Sequence, residues 1–358
     1  MYYDVPAEII TDIFSHLPVK SLLRFRCVSK RLCSLIDSPY FIKYHLNQSL
    51  ISKPNSHQTI ISVCNYKIYS INELDPYRHT LLNQFCHEIV GSCNGLLCLL
   101  LGQKIYLFNP STRERKLLPG LRPDRACRPE VYGFGYDCVN DDYKVISIRQ
   151  HLKKPEREFM VYSLKSNLWR RIEDFPYVFS SVRGPIGCVR DQSVLVNGAL
   201  HWLVTLRSES EDTRVVSFDL ATEEYGLIQL PEFLDWKLKS LMKVGELGGR
   251  LCLYCELRRL DYNLDVWVMN SYGVKDSWTR LLISAVIPQL KFTKFNAYLL
   301  DDRRVLFMLG RRLCWFDPKL IRMTCLRALA DPEPSRLYLC LGSLVKLGGG
   351  ATTEASMD

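Results

Sequence analysis

The sequence predicts a small all-α module over residues 1–48, an all-β, six-bladed propeller over 52–348 and a disordered tail at 349–358. Three observations predict it. Apolar residues recur at helical spacing between two prolines near the start, aromatic-plus-turn motifs recur about every fifty residues thereafter, and tight hairpin signals precede several of those motifs. With 358 residues and 47% hydrophobic content, the chain can bury a sizeable core.

In the first module, Pro6 suits a first helical turn, where its missing N–H costs nothing, and Glu8 lies where the helix dipole favours an anion. Ile9, Ile10, Ile13, Phe14 and Leu17 make one apolar stripe, Glu8, Thr11, Asp12 and Ser15 take the other side, and Pro18 ends the helix. Ser21 is placed to cap a second helix carrying Leu22, Leu23, Phe25 and Val28. A third carries Leu32, Leu35 and Ile36, and Asp37-Ser38-Pro39 starts a fourth with Phe41, Ile42 and Leu46 inward. A module of roughly 45 residues buries too little surface to stand comfortably alone, so part of its apolar surface is expected to rest on something else.

The string Val5-Pro6-Ala7-Glu8-Ile9-Ile10, then Ile13-Phe14-Ser15-His16-Leu17-Pro18-Val19-Lys20-Ser21-Leu22-Leu23-Arg24-Phe25-Arg26-Cys27-Val28-Ser29-Lys30, resembles an F-box. One departure is Leu32, where many F-boxes place a tryptophan; leucine keeps the site apolar but fills less volume. The resemblance implies binding to the adaptor of an SCF-type ubiquitin ligase, a member of the S-phase kinase-associated protein family, and through it to a cullin. Pro6, Ile9, Ile10, Ile13, Phe14, Leu17, Pro18, Leu22, Leu23, Phe25 and Val28 are the adaptor-binding residues it implies.

The rest of the chain repeats. Tyr69-Ser70, Phe108-Asn109, Tyr162-Ser163, Phe218-Asp219, Trp267-Val268 and Phe316-Asp317 each close a short apolar strand, at spacings of 39, 54, 56, 49 and 49 residues. Asn94-Gly95, Asn197-Gly198 and Gly248-Gly249 are tight-turn signals upstream, and Trp169 to Ile172, Leu227 to Leu230 and Trp278 to Leu281 supply a fourth strand downstream. Four strands per unit at this period predict a propeller of the kelch kind. The apolar run Leu337 to Val345 is expected to complete the short first unit. The repeated aromatics are expected in the core.

This region resembles the F-box-associated domain of plant F-box proteins. The match runs in order through Gly91-Ser92-Cys93-Asn94-Gly95-Leu96, Phe108-Asn109-Pro110-Ser111-Thr112, Tyr132-Gly133-Phe134-Gly135-Tyr136-Asp137, Asp142-Tyr143-Lys144-Val145, Asn197-Gly198-Ala199-Leu200-His201-Trp202 and Asp265-Val266-Trp267-Val268-Met269. The resemblance implies a receptor that holds a target protein for degradation, an immune receptor in plant defence being one candidate target, in the cytoplasm and nucleus.

Composition narrows the alternatives. The net charge of +9, from 47 basic and 38 acidic residues, favours acidic partners only weakly, and its spread over apparent loops argues against nucleic acid. The start lacks a signal-peptide pattern, and the apolar run Leu96 to Leu101 is far short of the roughly 20 residues a membrane helix needs. Fourteen scattered cysteines without an export signal read as reduced, and the sequon Asn47-Gln48-Ser49 as unused.

There is no P-loop, Gly133-Phe134-Gly135 lacks the rest of a dinucleotide motif, and Cys252 with Cys255 is a lone pair where zinc takes four ligands. No cofactor or metal is expected. Three classes remain: a non-catalytic ligase receptor, an F-box scaffold or regulatory binding protein acting outside the ligase, which would not co-purify with cullin, and a propeller enzyme, which needs paired carboxylates that the sequence does not show. Target contact is expected from propeller loops around Lys153, Lys154 and Arg157, around Arg207 to Asp212, and around Arg258 and Arg259, with Trp236 as a further candidate.

Overall fold

Proline opens both of the first two helices. In the computed structural model, which describes residues 6–51, 58–64, 67–71, 79–83, 88–121, 127–151, 157–172, 178–179, 191–205, 213–231, 239–257, 263–282, 297–299, 305–309, 312–317, 320, 322–328, 337–348 and 352–353, Pro6 and Pro18 hold φ at −52° and −59° just before α1 (Ala7–Ser15) and α2 (Val19–Phe25). Their carbonyls accept from the backbone N–H groups of Ile10 and Leu22, each at 3.2 Å. Pro18 therefore starts α2, and Ser21, expected to cap it, lies inside its first turn. The ring presets the helical approach without needing a side-chain cap.

In α3 (Lys30–Asp37) the Ser29 hydroxyl does cap, accepting from Leu32 N at 3.2 Å. Ser38 does the same for α4 (Pro39–Ile51), accepting from Phe41 N at 3.2 Å. The helices enclose Phe14, Val19, Leu22, Ile36 and Phe41, and Leu344 from the far end of the chain completes the cluster. Ser15, expected on the polar side, is buried; its hydroxyl donates to Asp12 O at 2.7 Å and so needs no water.

The strands follow in chain order: β1 (Gln58–Cys64), β2 (Lys67–Ile71), β3 (His79–Asn83), β4 (Glu88–Cys93), β5 (Leu96–Leu101), β6 (Lys104–Asn109), β7 (Glu114–Leu117), β8 (Cys127–Asp137), β9 (Asp142–His151), β10 (Arg157–Ser163), β11 (Leu168–Ile172), β12 (Val178–Phe179), β13 (Asp191–Gln192), β14 (Val194–Val196), β15 (Ala199–Thr205), β16 (Thr213–Asp219), β17 (Tyr225–Ile228), β18 (Lys239–Leu247), β19 (Arg250–Leu257), β20 (Asn263–Met269), β21 (Trp278–Leu282), β22 (Ala297–Leu299), β23 (Val305–Leu309), β24 (Arg312–Asp317), β25 (Arg322–Ala328), β26 (Leu337–Leu341) and β27 (Thr352–Thr353). Among the described residues they form small sheets with orders β26-β1-β2-β3, β27-β7-β6-β5-β4, β11-β10-β9-β8-β13, β12-β15-β16-β17 with β14 beside β15, β18-β19-β20-β21 and β22-β23-β24-β25. Each of the last five has at least four strands from one stretch of chain, and β27 and β13 add to two of them from further along. The first has three strands and borrows β26 as its fourth. The expected six blades are corrected to five, each with four or more strands from one stretch of chain; the first repeat is too short to supply four and pairs with β26, as expected of the run Leu337 to Val345.

The borrowed strand stops at Leu341, four residues before the predicted end of the apolar run at Val345. In the tail expected to be disordered, Thr352 and Thr353 pair with Arg115 and Glu114 of β7, covering an otherwise open edge.

Turn chemistry repeats as read. Asn94-Gly95, Asn197-Gly198 and Gly248-Gly249 all have positive φ and close two-residue hairpins. At Gly95 a Cβ would also lie 2.3 Å from Ser343 Cβ, so the passing segment requires glycine there. After β6, β10 and β16 the same five-residue turn appears: Arg113, Asn167 and Glu223, all with φ near +60°, donate their backbone N–H to the carbonyls of Asn109, Ser163 and Asp219 at 2.8–2.9 Å.

The repeated aromatics Phe108, Tyr162 and Phe218 are fully buried, Trp267 is half-buried, and the side chain of Phe316 lies outside the described residues. Cys314 is disulfide-bonded and stands in register opposite Cys325. Among the described residues the expectation of reduced cysteines is corrected at Cys314 alone, where facing positions of an antiparallel pair bring two Cα atoms within disulfide reach; Cys27, Cys33, Cys93, Cys98, Cys138, Cys252, Cys255 and Cys340 are free.

The chain divides into two compact units, Met1–Leu117 with Tyr338–Asp358, and Leu118–Leu337. The first holds the helices and the first two sheets. The second holds the other four, with apolar clusters joining the β8–β11 sheet to the β15–β17 sheet and that sheet to the β18–β21 sheet.

Candidate functional site

The helical packing sorts the eleven candidate adaptor residues into two groups. Phe14 and Leu22 are buried, and Ile10, Leu17 and Leu23 pack against the same cluster. These five hold the module together. Ile9 and Ile13, one turn apart on α1, are 50% and 54% exposed, while Phe25 and Val28 are 39% and 69% exposed. Pro6 and Pro18 are exposed as well. The Phe25 ring stacks on buried Phe14 with centroids 5.1 Å apart, so the outward aromatic is held by the core beneath it. Large apolar side chains at Ile9, Ile13, Phe25 and Val28 lack cover, as do Tyr40, Leu50 and Ile51 on α4, and Arg24 and Lys30 stand exposed near Val28 in the chain.

Charge fixes how the segment after α2 returns to α3. Arg26 Nε donates to Asp37 Oδ2 at 2.9 Å, a second guanidinium nitrogen approaches at 2.8 Å, and Lys346 Nζ lies 3.6 Å from Asp37 Oδ1. Burial pushes the Asp37 carboxyl upward, but the hydrogen bond and charge of Arg26 outweigh it and leave the pKa below its ordinary value. The Asp37 hydrogen bond correspondingly holds Arg26 more firmly protonated. Sequence reasoning missed Leu344 and Lys346 as supports of this module. The apolar run containing Leu344 was legible, but its burial against helices more than three hundred residues earlier left no local signal.

The candidate target-binding residues Lys153, Lys154, Trp236, Arg258 and Arg259 lie outside the described residues, and Arg157 is the first residue of β10, its side chain likewise outside them. Topology still relates the three loops. Segments 152–156, 206–212 and 258–262 join β9 to β10, β15 to β16 and β19 to β20, the two middle strands of successive sheets. Cys252 and Cys255 are buried in β19, and their three-residue offset places them on opposite faces of the strand, unsuited to sharing a metal.

Residues 3–44 match the profile of the F-box domain, and residues 51–314 that of the F-box associated beta propeller domain. Among curated proteins of Arabidopsis thaliana, F-box protein CPR1 is 33% identical over 95% of this chain and 88% of its own length. F-box/kelch-repeat protein At3g23880 is 30% identical over 78% of this chain and 79% of its own. Among solved structures, oligogalacturonate lyase in complex with manganese is similar at 9% identity and a TM-score of 0.46, over 73% of this chain and 70% of that one, a likeness too slight to carry an argument.

Proposed function

We propose, because this chain belongs to the F-box proteins with an F-box associated beta propeller domain, that it is the non-catalytic substrate receptor of an SCF-type ubiquitin ligase. F-box domains bind adaptors of the S-phase kinase-associated family, and the uncovered face of Ile9, Ile13, Phe25 and Val28 is the observation that carries the reading here. Exposed apolar side chains held on a packed helical core fit a protein partner. The ligase then works by proximity, holding a target near a charged ubiquitin carrier so that the target is ubiquitinated and degraded by the proteasome.

The target docks on the propeller, through loops joining the middle strands, where Lys153, Lys154, Arg157, Arg258 and Arg259 favour an acidic patch. An immune receptor in plant defence is the finer reading of the target, supported by the family resemblance, and the cytoplasm and nucleus are the matching compartments. The short first repeat takes its fourth strand from Leu337–Leu341, so one blade is built from early and late segments of the chain.

Co-expression with the adaptor tests the reading. Ile13→Asp with Val28→Asp is expected to abolish adaptor and cullin co-purification while circular dichroism stays unchanged. Charging Leu23 instead would confuse unfolding with lost binding, since Leu23 packs in the helical core. The same variant, used as a bait for mass spectrometry, is expected to retain the target. Adaptor capture undiminished in the double variant overturns the assignment of the face.

A further inference from the structure

Within the first compact unit a cleft of about 500 Å³ opens between the start of α2, the first two sheets and residues 340–342. This is the size range of small-molecule sites. Leu23, Ile61 and Leu82 give it apolar walls. Lys20 from α2 and Arg113 from the turn between β6 and β7 line it as well, and both are exposed, which places them toward its mouth. Hydroxyl groups of Ser70 and Ser111 lie on the same lining.

No aspartate or glutamate lines the cleft among the described residues. Glu114, next to Arg113 in the chain, turns instead to the backbone N–H of Leu347 at 3.1 Å. Two cations therefore share a concave, partly apolar surface with no carboxylate among its described lining residues. Low-dielectric walls strengthen the attraction of such a pair for an anion, and the apolar walls favour a ligand with a hydrophobic body.

We propose that this cleft binds a small organic anion, a single carboxylate or phosphate group on an apolar body, with its head between Lys20 and Arg113 and its body against Leu23, Ile61 and Leu82. The cleft is lined by Pro18 and Leu23 of the candidate adaptor set but by none of Ile9, Ile13, Phe25 and Val28, so ligand binding can be tested apart from adaptor capture through those four. Its walls come from α2 on one side and sheet strands on the other, so a bound ligand touches both and stabilises the unit they form.

The test is isothermal titration and thermal melting of the full chain at low ionic strength with octanoate and phenyl phosphate as probes, and with octylamine and inorganic phosphate as controls. Saturable binding of either organic anion is expected, and the tighter of the two identifies the head group. Lys20→Glu and Arg113→Gln are each expected to weaken it on the order of tenfold, the worth of one charge-assisted hydrogen bond. Ser70→Phe, which fills the cleft without touching its charge, is expected to abolish binding; unchanged ligand-free melting shows that this variant still folds. The proposal is overturned if neither organic anion saturates, if octylamine or inorganic phosphate binds as tightly as the organic anions, or if both charge variants bind normally.

Discussion

Lys144 is a cation with a side chain only 8% exposed. Its Nζ donates to Asp137 Oδ2 at 2.8 Å, to Glu223 Oε1 at 2.9 Å and to Leu220 O, fastening β9 to the turn after β16. Burial pushes the Asp137 carboxyl upward, but Lys144 and the N–H groups of Asn140 outweigh it, so the carboxylate stays charged. Lys144→Met leaves that carboxylate buried without its cation and is expected to cost about 3–5 kcal/mol in urea unfolding, because breaking a buried pair costs far more than the pair contributes. A loss below 1 kcal/mol would contradict the role given to it. His201 carries a different prediction. Its Nδ1 faces Val194 O at 3.2 Å, an acceptor, so Nδ1 holds the proton and Nε2 accepts from the Tyr272 hydroxyl at 2.8 Å. Burial lowers its pKa from 6.5 to about 4. The unfolded chain takes up a proton in that window and the folded chain does not, so the full stability seen above pH 6.5 is lost as pH falls toward 4, on the order of 3 kcal/mol. His201→Gln is expected to flatten that part of the acid dependence; an unchanged slope between pH 6.5 and 4 would rule the mechanism out.

Among the elements, β16 shows how a strand that carries a repeated aromatic helps join neighbouring sheets. Phe218 meets Phe159 of the neighbouring β8–β11 sheet at a ring distance of 4.9 Å and Tyr225 of its own sheet at 5.2 Å. Phe218→Ala is expected to cost about 3–5 kcal/mol, and Trp267→Ala, at a half-buried position, about half as much; thermal melts of both variants decide whether burial sets the order. These strands were legible because an aromatic followed by Asn, Ser or Asp carries its own turn: Asp219 Oδ1 accepts from the N–H groups of Ala221 and Thr222 at 2.8 and 2.9 Å. The helices were legible by period, but period identifies apolar positions without saying what covers them. Phe14 and Ile13 are adjacent in one stripe, yet one is core and the other surface. The borrowed strand was legible as an apolar run, whereas its exit at Leu341 toward the helices depends on a packing partner remote in sequence.

For the whole molecule, the segment from Gly342 to Leu347 ties the first and last parts of the chain together. Asn109 Nδ2 donates to Ser343 O and Val345 O at 3.0 and 2.9 Å, Ser343 N donates to the Ser111 hydroxyl at 3.2 Å, and Leu344 enters the helical core. A chain ending after Leu341 loses all of these and leaves the buried Asn109 amide without its acceptors. It is expected to lose on the order of 3–5 kcal/mol of stability in the first compact unit, and to expose α1 to protease. A chain ending after Leu347 is expected to resist protease like the full chain, and equal digestion of the two would show that the segment is dispensable. The order of synthesis gives this arrangement a further meaning. Leu344 leaves the ribosome 330 residues after Phe14, a delay of about 15–65 s at ordinary elongation rates. Through that interval the nascent helices lack Leu344 from their core, and a product terminated before that residue never acquires it. Closure of the N-terminal helical core is thereby withheld until residue 344 has been made, after the strands from β1 to β26 have left the ribosome.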